Sequence, residues 1–251
     1  MCITCVIHIS MKKLFGTFIL SVGLCSLSAE DNDASAYTIS LEAGYTSQVI
    51  VNGVAKHGDG AAFMGFGFNK PLSMVNVYGS ALLVPEPNGD SSQSHWTIGL
   101  GKELTAGDWG LGVDVTASRH QHGAGIPDST EFAAGVSLIN PWVTPFVKAV
   151  TDLDLEQDGY VLGVKKAFSL GGDSLSLSIT PVVEWYKFTD YDSFVAGVDV
   201  SAHVSNGFFS HFKPFASISY VDNNIDLANF NFASEEIDGD VKVTAGLKYS
   251  F

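Results

Sequence analysis

Val241-Lys-Val-Thr-Ala-Gly-Leu-Lys-Tyr-Ser-Phe251 closes the chain, and its alternation decides the fold. Val241, Val243, Ala245, Leu247, Tyr249 and Phe251 are apolar; Lys242, Thr244, Gly246, Lys248 and Ser250 between them are polar or small. Successive side chains of a β-strand point to opposite faces, so this stretch makes one apolar and one polar face. The pattern repeats upstream. Leu175, Leu177, Ile179, Val183 and Trp185 alternate with Ser174, Ser176, Ser178, Thr180 and Glu184. Phe194 to Val204 and Trp109 to Ala117 read the same way, as does Tyr37 to Tyr45 near the front.

Twelve such segments follow one another, near 36–46, 61–69, 74–83, 94–103, 108–118, 130–139, 142–150, 159–169, 174–187, 193–205, 211–221 and 239–251. The connections alternate in length. Short ones at 69–71, 105–107, 140–141, 171–172 and 205–207 carry Asn, Gly and Pro, the residues that tight turns require. Longer ones fall near 47–60, 84–93, 119–129, 151–158, 188–192 and 222–238. Tight turns at one end and longer loops at the other describe an all-β fold: a closed antiparallel transmembrane β-barrel of about 12 strands. Tyr37, Tyr45, Trp96, Trp109, Trp185, Tyr220 and Tyr249 sit toward segment ends, as interfacial girdles do. Pro145, Pro181 and Pro214 fall inside segments, where a proline removes a ladder hydrogen bond.

Composition narrows the class. The chain has 251 residues, with 13 Lys+Arg against 27 Asp+Glu and a net charge of -14. That balance repels phosphates, so no nucleic-acid partner is expected. An aromatic content of 12% with 16% charged residues excludes disorder. No apolar run long enough for a membrane helix occurs past residue 29. Residues 1–29 read as a cleaved signal peptide: basic Met11-Lys12-Lys13, apolar Leu14–Leu24, then small Ser26-Leu27-Ser28-Ala29. Met11 is the better start, since residues 1–10 sit upstream of the basic pair. The barrel domain is then 30–251. It contains none of Cys2, Cys5 and Cys25, and carries 11 basic against 27 acidic residues, a net of -16.

The ending Val243–Phe251 resembles the terminal strand of Gram-negative outer-membrane β-barrel proteins, with a final Phe, an aromatic two before it, and apolar residues at alternate positions further back. The resemblance implies that Leu247, Tyr249 and Phe251 form a barrel-assembly signal read by the barrel assembly machinery. The opening Ala43–Gly53 is similar to that of a poorly characterised group of small porin-like proteins, where an aromatic and an Arg usually stand at the places of Val51 and Asn52.

With the apolar face turned to outer-membrane lipid, the other face lines the lumen. Its pore-lining candidates are Glu42, Asp114, Lys148, Lys165, Glu184, Asp199, His203, Lys213, Lys242 and Lys248, joined by Glu103, Glu131, Tyr78 and Tyr186. Such charges either hold one another as ion pairs or form a charged constriction. Two functions follow: a passive porin-like channel for small polar solutes or ions, or a non-conducting structural or surface-interaction barrel. No cofactor is expected. His120 and His122 share a face of an extended segment, where a Zn or Cu ion is the sharp reading and solvated histidines the ordinary one. Asp152-Leu-Asp-Leu-Glu-Gln-Asp158 gathers carboxylates as calcium loops do, without the EF-hand spacing. Ser94-His95 lacks the His-x-Ser arrangement of outer-membrane phospholipases, so no enzyme is expected.

Overall fold

The computed structural model describes residues 37–47, 50–51, 54–55, 60–85, 92–121, 128–172, 174–205, 208–223 and 240–251. The signal-peptide reading, Met11, Val51–Asn52 as a motif, and His122 lie wholly or partly outside them.

The alternating segments form the wall of a closed barrel. Its strands are β1 (Thr38–Thr46), β2 (Ala61–Pro71), β3 (Asn76–Pro85), β4 (Ser92–Ala106), β5 (Trp109–Gln121) and β6 (Ser129–Ile139). They continue as β7 (Thr144–Asp152), β8 (Gln157–Lys165, resuming as Phe168–Gly171), β9 (Leu175–Phe188), β10 (Asp192–Val204), β11 (Phe212–Asn223) and β12 (Asp240–Ser250). Each pairs antiparallel with its chain neighbours, and β1 closes on β12 from Ser40↔Ser250 to Thr46↔Thr244. First and last strands are therefore adjacent, and the chain enters and leaves at one end. A two-stranded ribbon, Ile50–Val51 with Val54–Ala55, lies in the chain between β1 and β2. Among the described residues no helix is long and apolar enough to cross a membrane.

The alternation emerges as inside and outside. Trp96, Ile98 and Leu100 are exposed on β4, as are Leu111, Val113 and Val115 on β5. Trp109 and Trp142 meet edge to face at 5.7 Å on the outer surface.

Three expectations change. The inner face is not purely polar. Ala61, Phe63 and Val84 are buried there with Leu82 and Phe215 against them, and Val150, Val161, Phe188 and Tyr191 form a second cluster. The loop-length rule also fails at two places. Leu153–Glu156 and Thr189–Tyr191 are tight turns between β7 and β8 and between β9 and β10. Asp152 makes the first possible: its Oδ1 accepts from the backbone N–H of Asp154 at 3.0 Å and Leu155 at 3.1 Å. Glu156 takes the positive φ of 52° that completes it.

The single strand expected at 159–169 is broken at Lys166-Ala167, opposite Thr180-Pro181. Pro181 has no N–H to give the ladder, and only its carbonyl is used, accepting from Lys166 N at 3.2 Å. Pro145 and Pro214 stay within paired strands.

Candidate functional site

Strand parity sets which side chains meet inside. Glu42 lies on β1, Tyr78 on β3, Glu103 on β4, Asp114 on β5, Glu131 on β6 and Lys148 on β7. Lys165 lies on β8, Glu184 and Tyr186 on β9, Asp199 and His203 on β10, Lys213 on β11, and Lys242 and Lys248 on β12. The register brings some together. Glu42 partners Lys248, and Lys248 partners Lys213. Asp114 and Lys148 flank Gly135, each its register partner. Asp199 partners Ser217, and Ser217 partners Thr244. The assembly-signal side chains cluster at the opposite face: Tyr249 stands 4.6 Å from Phe251 and 4.9 Å from Phe212, ring centre to ring centre, while Leu247 is exposed nearby.

Most of the lumenal candidates have no ion-pair partner within 4.0 Å among the described residues. Among the described residues the ion pairs within 4.0 Å are Arg119 with Asp128 and Asp154, Lys187 with Asp192, and His120 with Glu131. Arg119, Lys187 and their partners lie toward the loop-bearing rim. Glu42, Asp114, Lys148, Lys213 and Lys248 belong to none of them. Lys165 lies 5.9 Å from the Phe146 ring centre, and Glu184 Oε2 accepts from the Tyr186 hydroxyl at 2.8 Å.

Toward the loop-bearing end the inner face is tighter. His95 Nδ1 and His120 Nδ1 are 2.7 Å apart, one donating and one accepting. His120 Nε2 stands 3.3 Å from Glu131, and Ser129 Oγ donates to Asp152 Oδ2 at 2.6 Å. Ser129, Glu131 and Asp152 are buried. Tyr191 folds in from its turn and stacks on Phe188 at 4.9 Å. Burial, with Glu131 and Asp152 adding negative charge nearby, holds its phenol well above the usual range. A cavity of about 140 Å³ opens beside this cluster, with Ser118, Glu131, Phe146, Lys148, Glu184 and Tyr186 in its lining.

The described members of the candidate metal and calcium groups have other partners. His120 turns inward to His95. Asp154 pairs with Arg119, and Asp152 is taken up by Ser129 and its own turn. Among the described residues no three His, Cys, Asp or Glu side chains are arranged to hold a metal ion.

The large inward rings are accommodated by glycine. A Cβ added to Gly99 would lie 2.6–2.7 Å from Tyr78 Oη and Cε2, and one on Gly163 would lie 2.6–2.8 Å from Phe146 Cε1 and Cε2. Phe215 Cζ and Cε1 lie 2.7–3.0 Å from the same point on Gly246. For Tyr78 and Phe146 Cζ is nearest and the atoms bonded to it are nearly as close, which puts the ring's face, not its edge, over the glycine. Beside Gly246 the Phe215 ring shares the space with the Ala43 carbonyl oxygen, 2.6 Å from the same point.

A closed twelve-stranded antiparallel wall with apolar groups outside and unpaired charges inside settles the architecture. The fold is that of an outer-membrane porin. The KdgM porin matches with a TM-score of 0.54 at 9% identity, over 85% of this chain and 99% of that one. The structure described as "KdgM porin in complex with disordered oligogalacturonate" matches with a TM-score of 0.55 at the same identity and coverage. No family model and no curated protein matches the chain in sequence. At 9% identity the likeness to these porins is one of fold.

Sequence reasoning missed the inward Phe63, Phe188 and Phe215, the His95–His120 contact and Tyr191. A usable signal exists for the rings. Phe63, Phe146, Phe188 and Phe215 each partner a glycine on the next strand or lie over one.

Proposed function

We propose that the chain is an outer-membrane channel passing small polar solutes or ions. One observation supports this above others. Glu42, Asp114, Lys148, Lys213 and Lys248 face the lumen without ion-pair partners among the described residues. In a dry interior each such charge costs several kcal/mol, of the order of ~3–5 kcal/mol when left uncompensated. Water in the lumen removes that cost, and water that connects both ends conducts. Removal of residues 1–29 as a signal peptide, insertion by the barrel assembly machinery through Leu247, Tyr249 and Phe251, and contact of the outer face with lipid complete the reading.

The non-conducting alternative draws on the burial of Gln93, Ser129 and Ser193, each 2% exposed, at one end of the inner face. Planar-bilayer recording separates the two. The channel reading expects stable unit conductances from purified folded protein; insertion without conductance overturns it and leaves the structural barrel.

A further inference from the structure

We propose that Tyr78, Phe146 and Phe215 form an aromatic collar that selects solutes with a flat CH face, and that its ligand class is neutral pyranose sugars. The inference rests on the channel reading above.

The three rings belong to β3, β7 and β11, four strands apart in turn around a twelve-stranded wall. They also stand at one level. Register partners climb the barrel: the line Lys213, Lys248, Glu42, Gly65, Leu82, His95, His120, Ser129 runs from near one rim to the other. Four strands at ~4.8 Å spacing and a tilt of about 45° climb roughly 14 Å. Phe215 sits just above Lys213 on that line and Tyr78 sits below Leu82, so the path drops about six residues, roughly 14 Å. From Tyr78 the partners are Gly99, Thr116, Ala133 and Val150, and Phe146 lies a further turn of the pleat below, a drop of roughly 9 Å. The rings fall within about 4 Å of a common height.

Each ring stands against an inward glycine, and half-burial leaves ring surface to the lumen, shared at Phe146 with Lys165 Nζ 5.9 Å from the ring centre. Phe63 and Phe188 also stand beside glycines, but are covered at 6% and 3% exposure. Three apolar plates on three sides make a slot for a molecule that carries apolar faces. The groups between them set the rest of its chemistry. Lys148, Lys213 and Lys248 are balanced by Glu42, Asp114 and Glu184 on neighbouring strands, all at or near the collar. Donors and acceptors of both signs bond hydroxyls well and give no net pull on an anion. A pyranose has that dual character: axial CH groups stack on rings while equatorial hydroxyls meet the charged groups.

The test combines two measurements on purified, folded full-length protein. In planar bilayers, maltotriose added at millimolar concentration is expected to interrupt the ion current, and sorbitol, which has hydroxyls but no rigid face, at equal mass concentration is expected to do so at least tenfold less. Saturation-transfer NMR on detergent-folded protein should show maltotriose ring protons receiving magnetisation. The Phe146→Ser variant should weaken block about threefold or more, and the triple variant Tyr78→Ser, Phe146→Ser, Phe215→Ser should abolish it while raising the conductance. Equal effects of maltotriose and sorbitol, or block that survives in a folded Phe146→Ser barrel, overturn the collar. Block by benzoate instead of maltotriose overturns the sugar assignment. Absence of any conductance defeats the channel reading, and the NMR experiment then still decides whether the collar binds.

Discussion

The flat rings lead to a prediction whose size can be worked from the structure. Gly163→Ala places a methyl group where the Phe146 ring lies, with Cε1 and Cε2 within 2.8 Å of it. No shift of a few tenths of an ångström relieves that contact, so the ring must leave the wall for another rotamer. Twelve strands ~4.8 Å apart at about 45° give a wall of roughly 80 Å circumference and ~13 Å radius. Side chains of ~5 Å leave a lumen of about 8 Å radius, near 200 Å² in section. A flat ring takes ~3.5 Å of radius and one stood off takes ~6–7 Å, so the swing removes about 20 Å². Unit conductance should fall by about 10%, and by about 20% when Gly99 is also changed. Overpacking costs stability of about 1–3 kcal/mol, which a barrel of this size tolerates. Single-channel recording at high salt resolves the change. Phe146→Ala added to Gly163→Ala should restore or exceed the original value. An unchanged conductance in folded Gly163→Ala, or no recovery in the double variant, would refute the flat-ring reasoning.

Other outcomes follow from the same framework. Phe251→Ala, or deletion of residues 249–251, should lower the yield of heat-modifiable barrel in outer membranes with Ala29 processing intact, checked by unheated gel mobility. Ser129→Ala strands the buried Asp152 Oδ2 without its 2.6 Å donor and should cost about 1–3 kcal/mol in urea unfolding of the detergent-folded barrel. Arg119→Ala removes exposed bonds to Asp128 and Asp154 and should cost under about 1 kcal/mol in the same assay. The open channel should prefer cations mildly at low salt, given a net charge of -16 over residues 30–251, and the reversal potential should approach zero as salt screens the mouths.

The wall was legible in the sequence because the period of two is a property of each strand alone. Phe194 to Val204 and Val241 to Phe251 could be divided into faces with no knowledge of neighbours. What crosses strands was not legible. His95 and His120 touch only because β4 and β5 pair at that register. Phe215 looks misplaced on a lumenal face until Gly246 is known to be beside it. Loop length misled where a single side chain shortened the path: Asp152 caps a turn in a segment whose acidity reads as solvated loop. The aromatic at Tyr191 reads as a loop residue, and only the three-residue turn forces it back onto Phe188.

The interruption of β8 also gauges depth. Below Lys166-Ala167, Phe168–Gly171 pairs with β9 alone, and no described strand lies along its other edge. Backbone groups left open on that edge have to be hydrated, because hydrocarbon offers them nothing. The lipid core therefore ends above Phe168. Phe168 and Leu170, exposed and facing outward, belong to the headgroup zone beside the Trp109–Trp142 pair. A proline on one strand has thus fixed the waterline of the whole barrel, and a nitroxide placed at Leu170 should feel aqueous relaxation agents where one at Leu162 feels oxygen dissolved in lipid.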